Sequence, residues 1–261
     1  MRSLSIAATG MLAQELNVEV ISNNIANLNT TGFKEQRAEF EDLLYQNLRR
    51  VGSFSSDQGT IVPAGVQVGL GVKTGAVYRI TTQGDLTSTG NPFDLAIQNK
   101  GYFTVQLPDG TNAYTRDGSF TTSPTGQIVT QDGYVVQPAI TIPEDATAVS
   151  INASGTVQVT IPGQVQPQTV GQLTLTSFFN EAGLQPTGNN LFAETASSGP
   201  PNTGVPGTAG YGTINQGFLE TSNVDPVQEI TNLITAQRAY EMNSKVITTS
   251  DEMLQTINQV Q

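Results

Sequence analysis

The sequence predicts an α+β fold: long N- and C-terminal helices forming a coiled-coil-like pair, with a central, mostly antiparallel β domain. Three observations carry this expectation. Apolar residues recur at a 3-4 spacing from Leu4 to Leu28, and again every seventh residue from Leu233 to Leu254. The middle of the chain alternates with period two, as in Phe103, Val105 and Leu107. Turn formers punctuate that middle, among 26 Gly and 13 Pro in 261 residues.

The first helix is expected from Leu4 to Leu28, on an apolar seam of Leu4, Ala7, Met11, Val18, Ile21, Ile25 and Leu28 that only Gln14 interrupts. Gly32 is placed as the residue that closes it. Residues 1–33 therefore read as a helical segment, and residues 34–80 as an irregular or extended linker arm holding Gly59, Pro63, Gly65, Gly69, Gly71 and Gly75. Residues 81–196 read as β-rich, with Asp109-Gly110, Asp117-Gly118 and Asp132-Gly133 as hairpin turns. Val157, Val159 and Ile161 alternate, as do Leu173 and Leu175 before Phe178 and Phe179. Residues 197–222 form a loop and return, Gly- and Pro-rich from Ser197 to Gly212.

Residues 223–261 are expected as the second helix, with Asp225 as N-cap, Pro226 as first helical residue and Gln228 completing a capping box. Two stripes run along it, Leu233-Tyr240-Ile247-Leu254 and Ala239-Val246-Met253-Val260. Two stripes imply neighbours on more than one side. The simpler alternative is a helical hairpin packed on its own domain.

Composition excludes several classes of function. With 22 Asp plus Glu against 11 Lys plus Arg, the formal net charge is −11, which argues against nucleic acid and against an anionic membrane surface. No apolar run is long enough to cross a membrane as a helix. Met1-Arg2-Ser3-Leu4 has the look of a signal-peptide start, but Thr9, Gly10, Gln14 and Glu15 break the apolar stretch that must follow, so no cleaved signal is expected.

Histidine and cysteine are both absent, which removes the commonest general base, the usual zinc ligands and the thiol nucleophile. Ser244 and Lys245 are adjacent on a helix and do not face each other. Gly69-Leu70-Gly71-Val72-Lys73-Thr74-Gly75 misses both phosphate-loop spacings and reads as a bending β connection. No enzyme activity, metal or cofactor is expected.

Asn23-Asn24-Ile25-Ala26-Asn27 followed by Asn29-Thr30-Thr31-Gly32-Phe33-Lys34 closely resembles the N-terminal signature of flagellar rod and hook proteins. Ser222-Asn223-Val224-Asp225, then Ala236-Gln237-Arg238-Ala239-Tyr240-Glu241 with Asn243 and Ser244-Lys245, resembles the C-terminal signature of the same family. Asp94-Leu95-Ala96-Ile97, Gly101-Tyr102-Phe103, Tyr114-Thr115-Arg116 and Gly118-Ser119-Phe120 are similar to its β-domain pattern. Within the family, length and the stretch from Tyr45 to Val72, with Pro63 and Gly65 before Gln67-Val68-Gly69, resemble the distal-rod members.

The resemblance implies a structural subunit of the basal body. It would leave the cell through the flagellar type III export apparatus and polymerise as a homo-oligomeric helical rod across the periplasm. Its implied partners are the proximal rod proteins, the hook protein or hook–rod junction, and the L and P ring proteins. The two terminal helices would form the inner core. The expected assembly residues are Leu4, Met11, Val18, Asn23, Asn24, Ile25, Asn27 and Leu28 on the first helix, with Leu233, Gln237, Arg238, Tyr240, Ile247 and Leu254 on the second. A rod-stiffening arm would include Gln46, Pro63, Gly65 and Gly69.

Burying each seam residue between subunits contributes roughly 1.5–3 kcal/mol before ordering entropy is subtracted. The asparagines are poor helix formers, and Asn17 and Asn24 flank the seam, where a buried Asn fixes register; a polar helix surface is the equal alternative. Arg238 pairs either with a neighbouring subunit's carboxylate or with Glu241 three residues along its own helix. Competing identities are a proximal rod or hook subunit, a secreted β-domain adhesin trimerised by its helices, and a hydrolase working through two carboxylates.

Overall fold

The computed structural model describes residues 2–49, 65–164 and 166–260, which divide into two compact units. The architecture is α+β, with a helix near each end of the chain and antiparallel sheets between.

The first unit contains the helices α1 (Arg2–Ala26) and α2 (Pro226–Val260) and the strands β1 (Gln36–Asp42), β2 (Tyr45–Arg49), β3 (Val66–Gly69) and β4 (Val72–Arg79). Strand β1 pairs with β4, and β2 pairs with β3 in the register Tyr45↔Gly69, Gln46↔Val68 and Asn47↔Gln67. Within the stretch expected as an irregular or extended arm, the described residues are extended and pair as strands. Its Val, Tyr and Thr residues outweigh its glycines. Gly71 makes the bend between β3 and β4 at φ 118°, where a Cβ would lie 2.2 Å from the Thr9 hydroxyl of α1. The Leu43 amide donates to the Gly71 carbonyl at 2.9 Å, and the Val72 amide to the Thr9 hydroxyl at 3.3 Å. The first bond ties the turn to the chain after β1, and the second ties it to the first helix.

Helix α1 stops at Ala26, so Leu28 lies beyond it and Gly32 does not close it. Residues 27–32 form turns instead, with Thr30 donating to the Asn27 side-chain oxygen at 3.1 Å. Asn and Thr bind neighbouring backbone and side chains in turn conformations, which ends the helix early. Gly32 does have a positive φ of 66°, for a different reason: a Cβ there would meet the Arg116 backbone at 2.9 Å. Helix α2 begins at Pro226 as the sequence indicates.

The second unit spans residues 26–35 and 79–225. Its strands are β5 (Leu86–Ser88), β6 (Leu95–Gln98), β7 (Phe103–Gln106), β8 (Asn112–Thr115), β9 (Thr121–Thr122), β10 (Ile128–Val129), β11 (Val135–Gln137) and β12 (Ala148–Ile151). They continue with β13 (Thr156–Thr160), β14 (Gln168–Gln172), β15 (Leu175–Ser177), β16 (Gln185–Gly188), β17 (Leu191–Ala193), β18 (Asn202–Gly204), β19 (Thr213–Gln216) and β20 (Phe218–Glu220). Among the described residues the largest sheet has the order β16-β17-β8-β7-β11-β10-β9, all antiparallel.

The core of this unit gathers Leu95, Ile97, Phe103, Val105, Phe120, Ile128, Val157, Val159, Leu173, Leu175 and Ile214. Phe103 and Val105 face it as their alternation predicts, yet Thr104 between them is buried too, its hydroxyl 2.9 Å from that of Thr176. Asp109-Gly110 and Asp132-Gly133 turn the hairpins β7–β8 and β10–β11. Asp117-Gly118 makes no hairpin. Gly118 lies against β6, where a Cβ would sit 1.6 Å from the Leu95 carbonyl oxygen. The expected loop from Ser197 to Gly212 includes β18, which pairs with β15.

Candidate assembly surface

In the first unit the two helices meet through small and polar residues. The Ser3 and Ser250 hydroxyls are 3.3 Å apart, and a Cβ on Gly10 would stand 2.8 Å from the Asn243 amide nitrogen. The Asn24 amide donates to the Glu229 carboxylate at 2.9 Å. These positions step by multiples of seven in opposite directions along the two helices, so one antiparallel register satisfies all three. Ala236 and Ser250 are buried on the same stripe of α2.

That stripe lies one residue round from the predicted apolar seam. Leu4, Met11, Val18 and Ile25 stay half-exposed on α1, whereas Ala7 and Ile21 of the same predicted seam are buried; Leu12 is 65% exposed. On α2, Leu233, Ile247 and Leu254 are half-buried and Gln237 and Arg238 exposed; Tyr240 is 44% exposed. Ile234, Met242, Val246 and Met253 are exposed as well. A row of large apolar side chains open to water on two long helices makes this face the candidate assembly surface. The inward side joins Ser3, Gly10 and Asn24 to the buried seam residues Ala7 and Ile21, so the apolar pattern marks only part of it.

Asn24 is a buried junction. Its amide donates to the Gln36 carbonyl at 2.8 Å and to Glu229, and its oxygen accepts from the Gln36 amide at 2.9 Å. Glu229 is itself buried and takes a second bond from Asn232 at 3.1 Å. The Asn24 side chain is thus engaged within its own chain, and the polar-surface alternative does not describe it. Asn23 is exposed, and Asn27 lies in the turn after α1. Among the described residues Arg238 makes no ion pair with Glu241.

The second unit has its own junction, which sequence reasoning did not find. Lys34 meets one Glu220 oxygen at 2.5 Å and Arg116 meets the other at 3.0 Å, with all three side chains buried. Lys34 also donates to the Thr82 carbonyl at 2.8 Å, and Arg116 to the Gly101 and Asn99 carbonyls at 2.6 and 2.8 Å. Burial pushes the Lys34 ammonium below its ordinary pKa, against the pull of Glu220. Nearby, Asn223 accepts from the Glu35 amide at 2.7 Å and donates to the Ile80 and Thr82 carbonyls. The motif residues Lys34, Arg116 and Asn223 thus bind together segments of the second unit that are far apart in the chain.

Of the arm residues, Gln46 is exposed on β2, while Gly65 and Gly69 are half-buried. Pro63 lies outside the described residues.

Three family models match the chain in order: "Flagella basal body rod protein" over residues 4–34, "Flagellar hook protein FlgE/F/G D1 domain" over 96–159, and "Flagellar basal body rod FlgEFG protein C-terminal" over 215–260. The flagellar basal-body rod protein FlgG of Caulobacter vibrioides is 63% identical over 100% of this chain and 99% of its own length. That of Agrobacterium fabrum is 54% identical over 99% of this chain and 98% of its own. The rod protein FlgF of Caulobacter vibrioides is 35% identical, covering 96% of this chain and 94% of its own length. Polar junctions at the ends of the β unit, two long helices with open apolar faces and near-complete alignment with rod proteins agree: the chain belongs to the family of flagellar basal-body rod proteins.

Proposed function

We propose that the chain is the subunit of the distal rod, polymerising into a rigid helical tube that transmits torque from motor to hook and conducts exported subunits. The observation that carries this reading is the contrast within one organism: identity is 63% to the FlgG protein and 35% to its FlgF paralogue. FlgG proteins form the distal rod. The half-exposed seam residues Leu4, Met11, Val18 and Ile25, with Leu233, Tyr240, Ile247 and Leu254, then pack in coiled-coil fashion against neighbouring copies. Asn23, Asn27, Leu28, Gln237 and Arg238 lie at or near the same contacts. Head-to-tail contacts of this kind build an open helix when they do not close into a ring.

In this reading residues 1–33 and 223–261 form the tube's inner core, and residues 34–80 act as an arm bracing adjacent copies, with Gln46, Pro63, Gly65 and Gly69 within it. The chain reaches the basal body through the flagellar type III export apparatus. It contacts the proximal rod proteins below, the hook or its junction above, and the L and P rings around it.

Electron microscopy of basal bodies from a strain lacking the gene tests the reading. Short rods without hooks, restored by the intact gene, are expected. Complete rods and hooks in the deletion strain would overturn it.

A further inference from the structure

A groove of about 500 Å³ runs between the two helices of the first unit, lined by Glu15, Val18, Glu19, Gln237, Tyr240 and Glu241. Its lining sets Val18 and the Tyr240 ring beside the carboxylates of Glu15, Glu19 and Glu241. Glu15 and Glu19 are four residues apart on one helix face, an arrangement in which like charges repel. Among the described residues no cation pairs with Glu15, Glu19 or Glu241.

A second surface of α2 has the opposite character. Ile234, Arg238, Met242 and Lys245 follow one another at spacings of four and three residues, hence along one face, and all are exposed. Neither Arg238 nor Lys245 has an ion pair among the described residues. At 3.6 residues per turn Gln237 and Tyr240 lie about 90° or more round α2 from the centre of this face, and Glu241 stands at the border between the two.

From this juxtaposition we propose that the acidic groove is the docking site for the Ile234–Lys245 face of a second copy of this chain, with Arg238 and Lys245 meeting Glu15, Glu19 and Glu241 around an apolar centre of Ile234 and Met242 on Val18 and Tyr240. The occupant follows from charge: a chain of net charge −11 has few exposed cations, and two of them lie on an apolar helix face. The rod-subunit reading calls for contacts that run head to tail rather than closing as a two-fold pair. Each copy gives its face to one neighbour and its groove to another, so the contact propagates. Rim charges of this kind set register and partner choice more than affinity. The inference rests on the rod-subunit reading and specifies the polarity of its contacts.

The test uses charge reversal in cells. One variant carries Arg238→Glu and Lys245→Glu; another carries Glu15→Lys, Glu19→Lys and Glu241→Lys. All five sites are exposed, so each purified variant should melt as the wild type does. Expressed alone, each is expected to lower the number of complete rods per cell about tenfold or more, the effect of a contact weakened by one decade in affinity. Expressed together they are expected to restore rods, since every contact in an alternating array again joins opposite charges. Arg238→Gln, which removes a charge without reversing it, should give an intermediate loss. Normal rods from either reversal alone would overturn the proposal, as would failure of the pair to restore them while both melt normally. Complete rods in a strain with no copy of the gene would instead overturn the rod-subunit reading itself.

Discussion

Asn24 and Glu229, 205 positions apart in the chain, share a buried hydrogen bond of 2.9 Å that joins the end of the first helix to the start of the second. The same asparagine exchanges two bonds with the backbone of Gln36 at the start of β1. One side chain therefore fixes where three segments meet, and the antiparallel heptad register of the helices begins from it.

Asn24→Ala strips partners from a buried carboxylate and from both backbone groups of Gln36. Unsatisfied buried groups cost about 1–3 kcal/mol each, and partial relaxation brings the expected loss to about 3 kcal/mol. Urea denaturation of the purified chain measures it; an unchanged midpoint would show that the junction contributes nothing.

Glu220→Gln leaves Lys34 and Arg116 as buried cations facing a neutral amide. Breaking a buried ion network by removing one partner costs about 3–5 kcal/mol. The exposed pair Lys73–Glu41, at 2.9 Å, serves as the contrast, and Lys73→Ala should leave the midpoint of unfolding where it was. Equal effects from the two substitutions would contradict the account.

Alkaline pH should unfold the β unit. Burial, and then the nearby Glu181 carboxylate, push the Tyr102 phenol above its ordinary pKa, and burial does the same to Tyr114. A group that holds its proton more tightly when folded gives its full stability below the unfolded value of about 10 and loses it as pH rises beyond. Lys34 works in the other direction, because burial makes it release its proton more readily when folded. Unfolding free energy measured across this range is expected to fall above about pH 10. Tyr102→Phe should make the fall shallower; an identical slope would exclude Tyr102 as its source.

Gly118 and Gly110 separate two uses of glycine. A Cβ at Gly118 would stand 1.6 Å from the Leu95 carbonyl oxygen, whereas one at Gly110 meets nothing within 4 Å and only the positive φ of 84° opposes it. Gly118→Ala should cost at least about 3 kcal/mol and Gly110→Ala about 1 kcal/mol. Thermal melts of the two variants check the order, which the account requires.

The elements with a strong period were legible in the sequence. The long helices, the alternation through Phe103 and Val105, and the two Asp-Gly hairpins all follow from local pattern. Features made by distant residues were not. Nothing local distinguishes Asp117-Gly118 from the hairpin pairs, because its role depends on β6 crossing beside it. The strands between Tyr45 and Arg79 were obscured by glycines at their bends. The Lys34–Glu220–Arg116 network joins residues up to 186 positions apart, beyond the reach of any spacing rule. On the helices, apolar periodicity marked both half-exposed residues such as Leu4 and Met11 and the buried Ala7 and Ile21, while the polar part of the intrachain contact, Ser3, Gly10 and Asn24, went unmarked. Hydrophobic pattern finds faces that need covering and leaves open what covers them.

The central claim is that the half-exposed helix seams are covered by other copies of the chain. Electron cryomicroscopy of intact basal bodies, at a resolution that shows side chains, tests it most directly. The account predicts that α1 and α2 line the channel of the distal rod, with Leu4, Met11, Val18 and Ile25 packed against neighbouring copies. Helices on the outer surface of the rod, or seams left in solvent, would contradict it.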